Sequence, residues 1–454
     1  MLKLLFSTCV LALTASSVFA AAPTPTFSRD VAPILNARCV TCHRSGEAAP
    51  MSLRTYAETR PWARAIKQKV ASREMPPWHA EAGVNRFSND RRLTDKEVAT
   101  VVAWVDGGAP EGKPADLPAP PQFTEGWGIG TPDRIVDTGV DFTIPANGVV
   151  PYQYFDVDPG FTVDTWVQAV EVRPTQRAQV HHILVFVQPP GGPGRGAGLL
   201  GALFGGGPPR GGGPGGGRGG PDGQGRGGPG GPGGRGGPGG AGGPQPGEQF
   251  RNMLIGYAPG VPTLAWDNDT AFLVKAGSHF LFQVHYTVNG TASSDRSVLG
   301  LKLRTDSPKF RAHSGSAMQM RLAIPPHDPN YQVQAAYTFQ EDATVLDVTP
   351  HMHLRGKAFK YVLTYPDGRT EVLLNVPKYA FDWQLSYVLA EPRHVPAGSR
   401  LDVTAWYDNS ATNKANPDPS QTVRWGDQTF EEMMIGFFNY KVPADRPEPA
   451  GPPR

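Results

Sequence analysis

Ala343-Thr344-Val345-Leu346-Asp347-Val348-Thr349-Pro350-His351-Met352-His353-Leu354-Arg355-Gly356-Lys357 is the stretch from which the rest of the chain is read. Its opening alternates and is rich in β-branched residues, the pattern of a half-buried strand. His351 and His353, one residue apart, then fall on one face of that strand, where two imidazoles can approach the same transition-metal ion. A His-x-His alone is more often a pair of ordinary polar residues, but other ligand-type side chains in the chain reverse that balance. Met433, after Glu432, offers a thioether as a third ligand, and His181, His182 and His285 offer a second set.

Period-two patterning continues on both sides. Upstream it covers 141–145, 152–157, 164–172, 180–187, 271–274 and 279–286; downstream it covers 332–339, 344–348, 358–365, 400–407 and 434–440. Convincing helical stripes are absent there, so two all-β antiparallel sandwich (jelly-roll-like) domains are expected over 123–305 and 306–442. The chain holds 55 Gly and 47 Pro, concentrated over 189–247 with Arg. Without a glycine at every third position this run is no collagen helix, and it has nothing with which to build a core. A disordered insertion in one sandwich loop is expected, since loop-closure cost grows only logarithmically with length.

The N-terminal part reads differently. Residues 1–20 combine Lys3, an apolar run and small residues ending at Ala20, a cleaved secretory signal that implies a periplasmic or secreted product. A short helix over 27–36 with Ser28 as cap leads into Cys39-Val40-Thr41-Cys42-His43. That is the c-type haem attachment pattern, with two thiols for the vinyl groups and His43 as axial ligand of a covalently bound haem c. A thioredoxin-like pair lacks βαβ surroundings, and a zinc site lacks further cysteines. Met75, before Pro76-Pro77, is the first choice for the opposite axial position, with His79 as competitor; Met51 is too close behind His43. Thr94 and Glu97 form a capping box opening a helix with Val98, Val101, Val102 and Val105 on one stripe. Over 23–112 the chain resembles a small all-α class I cytochrome c domain, with a linker over 113–122 and a loose proline-rich tail over 443–454.

At 454 residues several cores are possible, and a net charge of +2 argues against a nucleic-acid partner. Of three cysteines, Cys9 lies in the leader and the other two in the haem motif, leaving none for disulfides. No stretch after the leader is long enough for a membrane span.

His181-His182, Gln283-Val284-His285-Tyr286, His351-Met352-His353 with Gly356-Lys357, and Glu432-Met433 recur in the order seen in the copper type II monooxygenases, typified by the peptidylglycine α-hydroxylating and dopamine β-monooxygenases. Residues 133–442 resemble that family. The resemblance implies two copper ions: an electron-transfer copper on His181, His182 and His285, and a dioxygen- and substrate-binding copper on His351, His353 and Met433. Three imidazoles suit both copper oxidation states, and a thioether biases the other site toward Cu(I). Adjacent His181 and His182 would point to opposite faces of a regular strand, so joint ligation needs a bulge or a strand end. Met434 is the alternative thioether and would face away; His279 shares a face with His285, whereas His313, His327 and His394 have no partner spacing. Two positions depart from the peptide-processing members, which hold the substrate carboxylate with an arginine and a tyrosine: here these are Thr349 and Phe437. A C-terminal glycine peptide is therefore not the expected substrate.

The function implied is that of an exported enzyme converting a C–H bond of a small organic molecule, dioxygen, two electrons and two protons into an alcohol and water. An external donor, a redox protein or an ascorbate-like reductant, would supply the electrons through the haem. A non-catalytic copper and haem electron carrier or copper-binding protein is the alternative.

Overall fold

The computed structural model describes residues 23–47, 49–123, 126–190, 252–258, 263–426 and 428–446. The leader over 1–20, nearly all of the Gly/Pro/Arg insertion and the end of the tail lie outside the described residues.

Strands form where β-branched and aromatic residues alternate or run together. Val180–Gln188 pairs antiparallel with His279–Tyr286, which pairs on its other side with Gln153–Val157; Met253–Tyr257 completes a four-stranded sheet. A second four-stranded sheet comprises Tyr331–Thr338, Arg400–Tyr407, Gly356–Thr364 and Thr370–Val376. Between them runs a nine-stranded sheet containing Ala343–His351, Ile435–Pro443 and Phe310–Met318. Each four-stranded sheet covers part of it, giving one core around Val170, Ile183, Phe282 and Leu299 and another around Val348, Phe359, Tyr361 and Phe438.

Two separate antiparallel sandwiches behind a small all-α cytochrome c domain, the expected architecture, are not what forms. Thr270–Val274 runs parallel to Phe310–Met318, with Phe310 opposite Thr270. That pairing fuses strands of the upstream and downstream units into one mixed sheet. A smaller core crosses the same junction, where Phe186, Met253 and Leu281 meet Met318, Met433, Ile435 and Phe437.

The helical portion is also not a sizeable all-α domain. Its α-helices are short: Ala32–Arg38, Tyr56–Thr59, Ala63–Ala71 and Asp95–Asp106. They enclose a small core of their own, among its residues Phe27, Leu35 and Trp104. The capping box on Asp95–Asp106 forms as expected from Thr94 and Glu97. Ahead of Ala32–Arg38, the π-helical turn Phe27–Val31 is capped by Thr26 rather than Ser28, whose hydroxyl instead donates to the Glu111 carbonyl, 2.9 Å away. The stretch after Pro76-Pro77 is not helical and buries Trp78, Ala80 and Phe87 in the downstream β core. Trp78 and Phe87 meet Tyr387 edge-on, with centroids 4.9 and 5.5 Å away, and Phe87 bridges antiparallel to Leu389. Backbone bonds from Ser88 to Val388 and from Ala390 to Arg86 extend the sheet edge onto this segment. The helices are thus anchored to the β body by main-chain pairing. No helix among the described residues is long and apolar enough to cross a membrane.

Gly436 sits opposite Pro350 in the strand beneath His351. A Cβ there would stand 2.8 Å from Val403 Cγ1 and 3.1 Å from Tyr361 Cε1, both in the packed core. Gly436→Val should therefore lower unfolding free energy by about 1–3 kcal/mol, the usual cost of overpacking, as read by urea denaturation.

Candidate metal centre

His182 is paired in register with His285 across two neighbouring strands, and the register shifts between Val180 and His182. This irregularity lets consecutive histidines turn to the same side, the requirement the sequence raised. His181 Nδ1 and His182 Nδ1 are 3.1 Å apart, and the ligand atoms of His181, His182 and His285 all lie within 4.8 Å of one another. His285 Nδ1 is buried without a hydrogen-bond partner, as is His181 Nε2. Buried nitrogens with open lone pairs, converging from two strands, form a donor set that fits a copper ion.

The second set is arranged differently from the expected strand face. The strand Ala343–His351 ends at His351, and His353 lies in the turn beyond it. Met352 between them points into the downstream core. The two rings stand 5.3 Å apart, nearly perpendicular. His351 Nδ1 donates to Gln384 Oε1 at 2.6 Å, which fixes the tautomer leaving Nε2 free for a metal. His353 Nδ1 donates to the Glu431 carbonyl at 3.3 Å, and its buried Nε2 has no partner. Glu432 clamps the turn: its carboxylate accepts from the backbone N–H of His353 at 2.8 Å and of Arg355 at 2.6 Å. Met433 is the next residue and is 4 % exposed, in the junction core, while Met434 packs into the downstream core. Met352, inside the turn, and Met434 both pack into the downstream core, whereas Met433 follows directly on the clamping Glu432.

Burial holds all these imidazoles neutral. It depresses His285 to about 3 and His351 to about 4, helped by the neighbouring histidines, and pushes His182 and His353 well below the usual imidazole range. A neutral imidazole is the form that ligates. The rings of His182 and His351 meet edge to face at 6.1 Å, so the two sets adjoin. His279 lies at the other end of its strand and pairs with Asp156 at 2.9 Å, away from this centre. His313 stacks on Tyr440 and accepts from Arg311 at 3.1 Å; His394 is on an edge strand opposite Thr344.

A cavity of about 140 Å³ is lined by one histidine of each set, His182 and His351, together with Phe437, Leu184, Asp347 and Asn439. Asn439 Nδ2 donates to both oxygens of Asp347 at 3.0 Å, and burial pushes that carboxyl up to about 6. An acid whose folded pKa is raised stabilises the fold below its unfolded pKa, and that contribution is lost as pH climbs through the folded value. The difference in unfolding free energy between the native chain and Asp347→Asn should therefore shift by on the order of 3 kcal/mol between pH 4 and pH 7 in matched urea melts, the native chain losing stability as pH rises.

Cys39, Cys42 and His43 border a larger cavity, about 560 Å³. Met75 lines the same cavity, and His79 is not among its lining residues. His43 Nδ1 donates to the Met51 carbonyl at 3.3 Å, orienting Nε2 for a metal. Burial pushes the Cys39 thiol up to about 12 and raises Cys42, so both stay protonated until they react. Thiols, an oriented imidazole and a thioether around one hollow fit a covalently attached haem. His181, Asp382 and Trp383 line the same hollow, so it reaches one histidine of the first set.

Sequence reasoning missed the turn that carries Phe381, Trp383 and Gln384. Phe381 lies flat on His181, with centroids 4.9 Å apart and planes at 15°, and 6.2 Å from His353. No spacing or periodicity marks these residues.

No protein-family model and no curated protein matches the chain. Solved structures similar to it include that of the infectious bursal disease virus Gx strain, 8% identical over 72% of this chain and 76% of that one, TM-score 0.19. The VP2 subviral particle of that virus is 10% identical over 69% and 74%, TM-score 0.18. The stem and receptor binding domain of spike protein P1 from bacteriophage PM2 is 7% identical over 66% and 100%, TM-score 0.15. Likeness at this level bears on no part of the site.

Proposed function

We propose that the chain is an exported copper monooxygenase that receives electrons through a covalently bound haem and hydroxylates a C–H bond of a small, largely apolar compound. The observation carrying this reading is the convergence of four buried histidines and the half-buried His181, from three strands and a turn, beside a mostly apolar cavity. When bound, copper would supply dioxygen activation and one-electron transfer, and haem would supply the electrons. The chain's own residues do the rest. Glu432 and Gln384 hold His353 and His351 in orientation, and Met433, next to Glu432 in sequence, would be the soft donor. Apolar residues around the cavity exclude water. Thr349 and Phe437 both border the cavity and supply no cation for a carboxylate, so an uncharged or weakly polar substrate suits it.

The near-complete burial of His353 and Met433 favours the second reading, a copper and haem electron carrier without turnover. Oxygen uptake by the reduced, copper-loaded full chain, over a panel of small aromatic and aliphatic compounds, separates the two. The monooxygenase reading expects substrate-dependent uptake with one atom of labelled dioxygen in the product. Reoxidation without product would leave the carrier.

A further inference from the structure

The small cavity beside His182 and His351 and the larger hollow around Cys39, Cys42 and His43 lie back to back. Consecutive residues part between them at two places: His181 lines the hollow and His182 the cavity, Trp383 the hollow and Gln384 the cavity. Among the described residues Asn89 alone lines both. It belongs to the N-terminal portion, in the turn after Phe87, and Ser88, Asp90 and Arg91 beside it line the hollow. The strand Tyr387–Val395 and the residue before it hold the Asn89 carboxamide at two points: Nδ2 donates to the Ser386 carbonyl at 2.8 Å, and Oδ1 accepts from the Val388 N–H at 3.1 Å. Ser386 and Val388 themselves line the small cavity. In its sheet that strand pairs with Ala343–His351 and ends the strand order, so the segment around Asn89 covers its open edge. We propose that Asn89 couples the two cavities, so that a small apolar molecule in the one beside His182 and His351 shifts the reduction potential of haem held in the other.

The two-point bond leaves the carboxamide one orientation. Backbone bonds from Ser88 to Val388 and from Ala390 to Arg86, each 2.9 Å, fix the chain around it. Where a single residue forms the wall, an occupant on one side cannot be accommodated without changing the surface offered to the other, because packed interiors hold little free volume. A haem answers such a change, since its potential depends on hydrogen bonding, burial and distortion of the ring. The coupling is reciprocal: the factor by which the apolar molecule favours one oxidation state is the factor by which that state favours the molecule. The inference rests on the haem reading of the hollow proposed above, and its test separates the two.

The midpoint potential of the haem-loaded full chain is read from its absorbance with and without saturating benzene, whose uptake is followed by ligand NMR. Benzene is the probe because an apolar cavity of about 150 Å³ takes it up. In the native chain it should move the potential by about 40 mV, which at about 59 mV per tenfold is a roughly fivefold difference in affinity between the oxidised and reduced chain, the low end for coupled sites. Asn89→Ala should still take up benzene and keep its haem spectrum, while the benzene-dependent movement is lost. A role confined to stability would lower the melting temperature and leave that movement as it is. Asn89→Asp, which still accepts from the Val388 N–H, should keep part of it. A native chain that takes up no benzene, or takes it up with its potential unmoved, would overturn the coupling, and a full movement in Asn89→Ala would overturn the part of Asn89 in it. A native chain with no haem absorbance would overturn the haem reading itself, and this inference with it.

Discussion

Met433→Ile is expected to leave copper on His181, His182 and His285 while reducing oxygen-dependent hydroxylation by more than about a hundredfold, beyond the loss typical of an outer-shell partner. Met433 is buried among Phe186, Leu281, Met318, Ile435 and Phe437. Isoleucine is close enough in volume and polarity that packing there should cost under about 1.5 kcal/mol, so the fold survives and the sulfur alone is removed. In the proposed reading the thioether distinguishes the second set from the first, and only the second set should feel its loss. His285→Ala should do the reverse, emptying the three-histidine set while His351, His353 and Met433 keep their metal. Copper per chain, measured for both variants beside activity, gives the result. Full activity in Met433→Ile would remove the sulfur from the site.

Glu432→Ala should be the most damaging single change to the second set. The carboxyl is 0 % exposed and accepts from two backbone N–H groups, while Arg355 beside it is itself buried and spends its guanidinium on Asn409 at 2.9 Å and the Phe430 carbonyl at 2.8 Å. Burial pushes Glu432 up to about 8 even against these donors and the nearby guanidinium. Alanine would leave two buried amide donors unsatisfied, which together cost about 2–5 kcal/mol. The His353 turn would be released at the same time, so copper on His351 and His353 should be lost before copper on His181, His182 and His285. Glu432→Gln, which keeps one acceptor, should fall between. Urea melts with metal analysis read both effects, and a variant as stable as the native chain would show that the clamp carries no load.

Strand existence was legible wherever β-branched residues accumulate, as over Val180–Gln188, Ala343–His351 and Arg400–Tyr407. Partnership was not. Nothing local in Thr270–Val274 or Phe310–Met318 announces that they pair in parallel, because pairing is decided by cores and connections far away. The same limit hid the docking of Trp78 and Phe87 onto Tyr387, about which a short aperiodic segment says nothing. The helix Ala63–Ala71 was also unmarked, its lysine- and arginine-rich turns leaving only Ala63, Ile66 and Val70 as a buried stripe. At the candidate site, the histidines stood out by residue type and spacing, and Met433 only through the resemblance. The register shift at His181 follows from pairing with the strand of His285, and Gln384 and Glu432 act through atoms that only the folded chain brings to His351 and His353.

X-ray absorption at the copper edge of the reduced, loaded chain tests the central claim most directly. A two-copper centre built from His181, His182, His285, His351, His353 and Met433 predicts two coppers per chain with imidazole scatterers around both. It also predicts one sulfur scatterer for every two coppers, lost in Met433→Ile. A spectrum with no sulfur in the native chain, or a single copper, would contradict it.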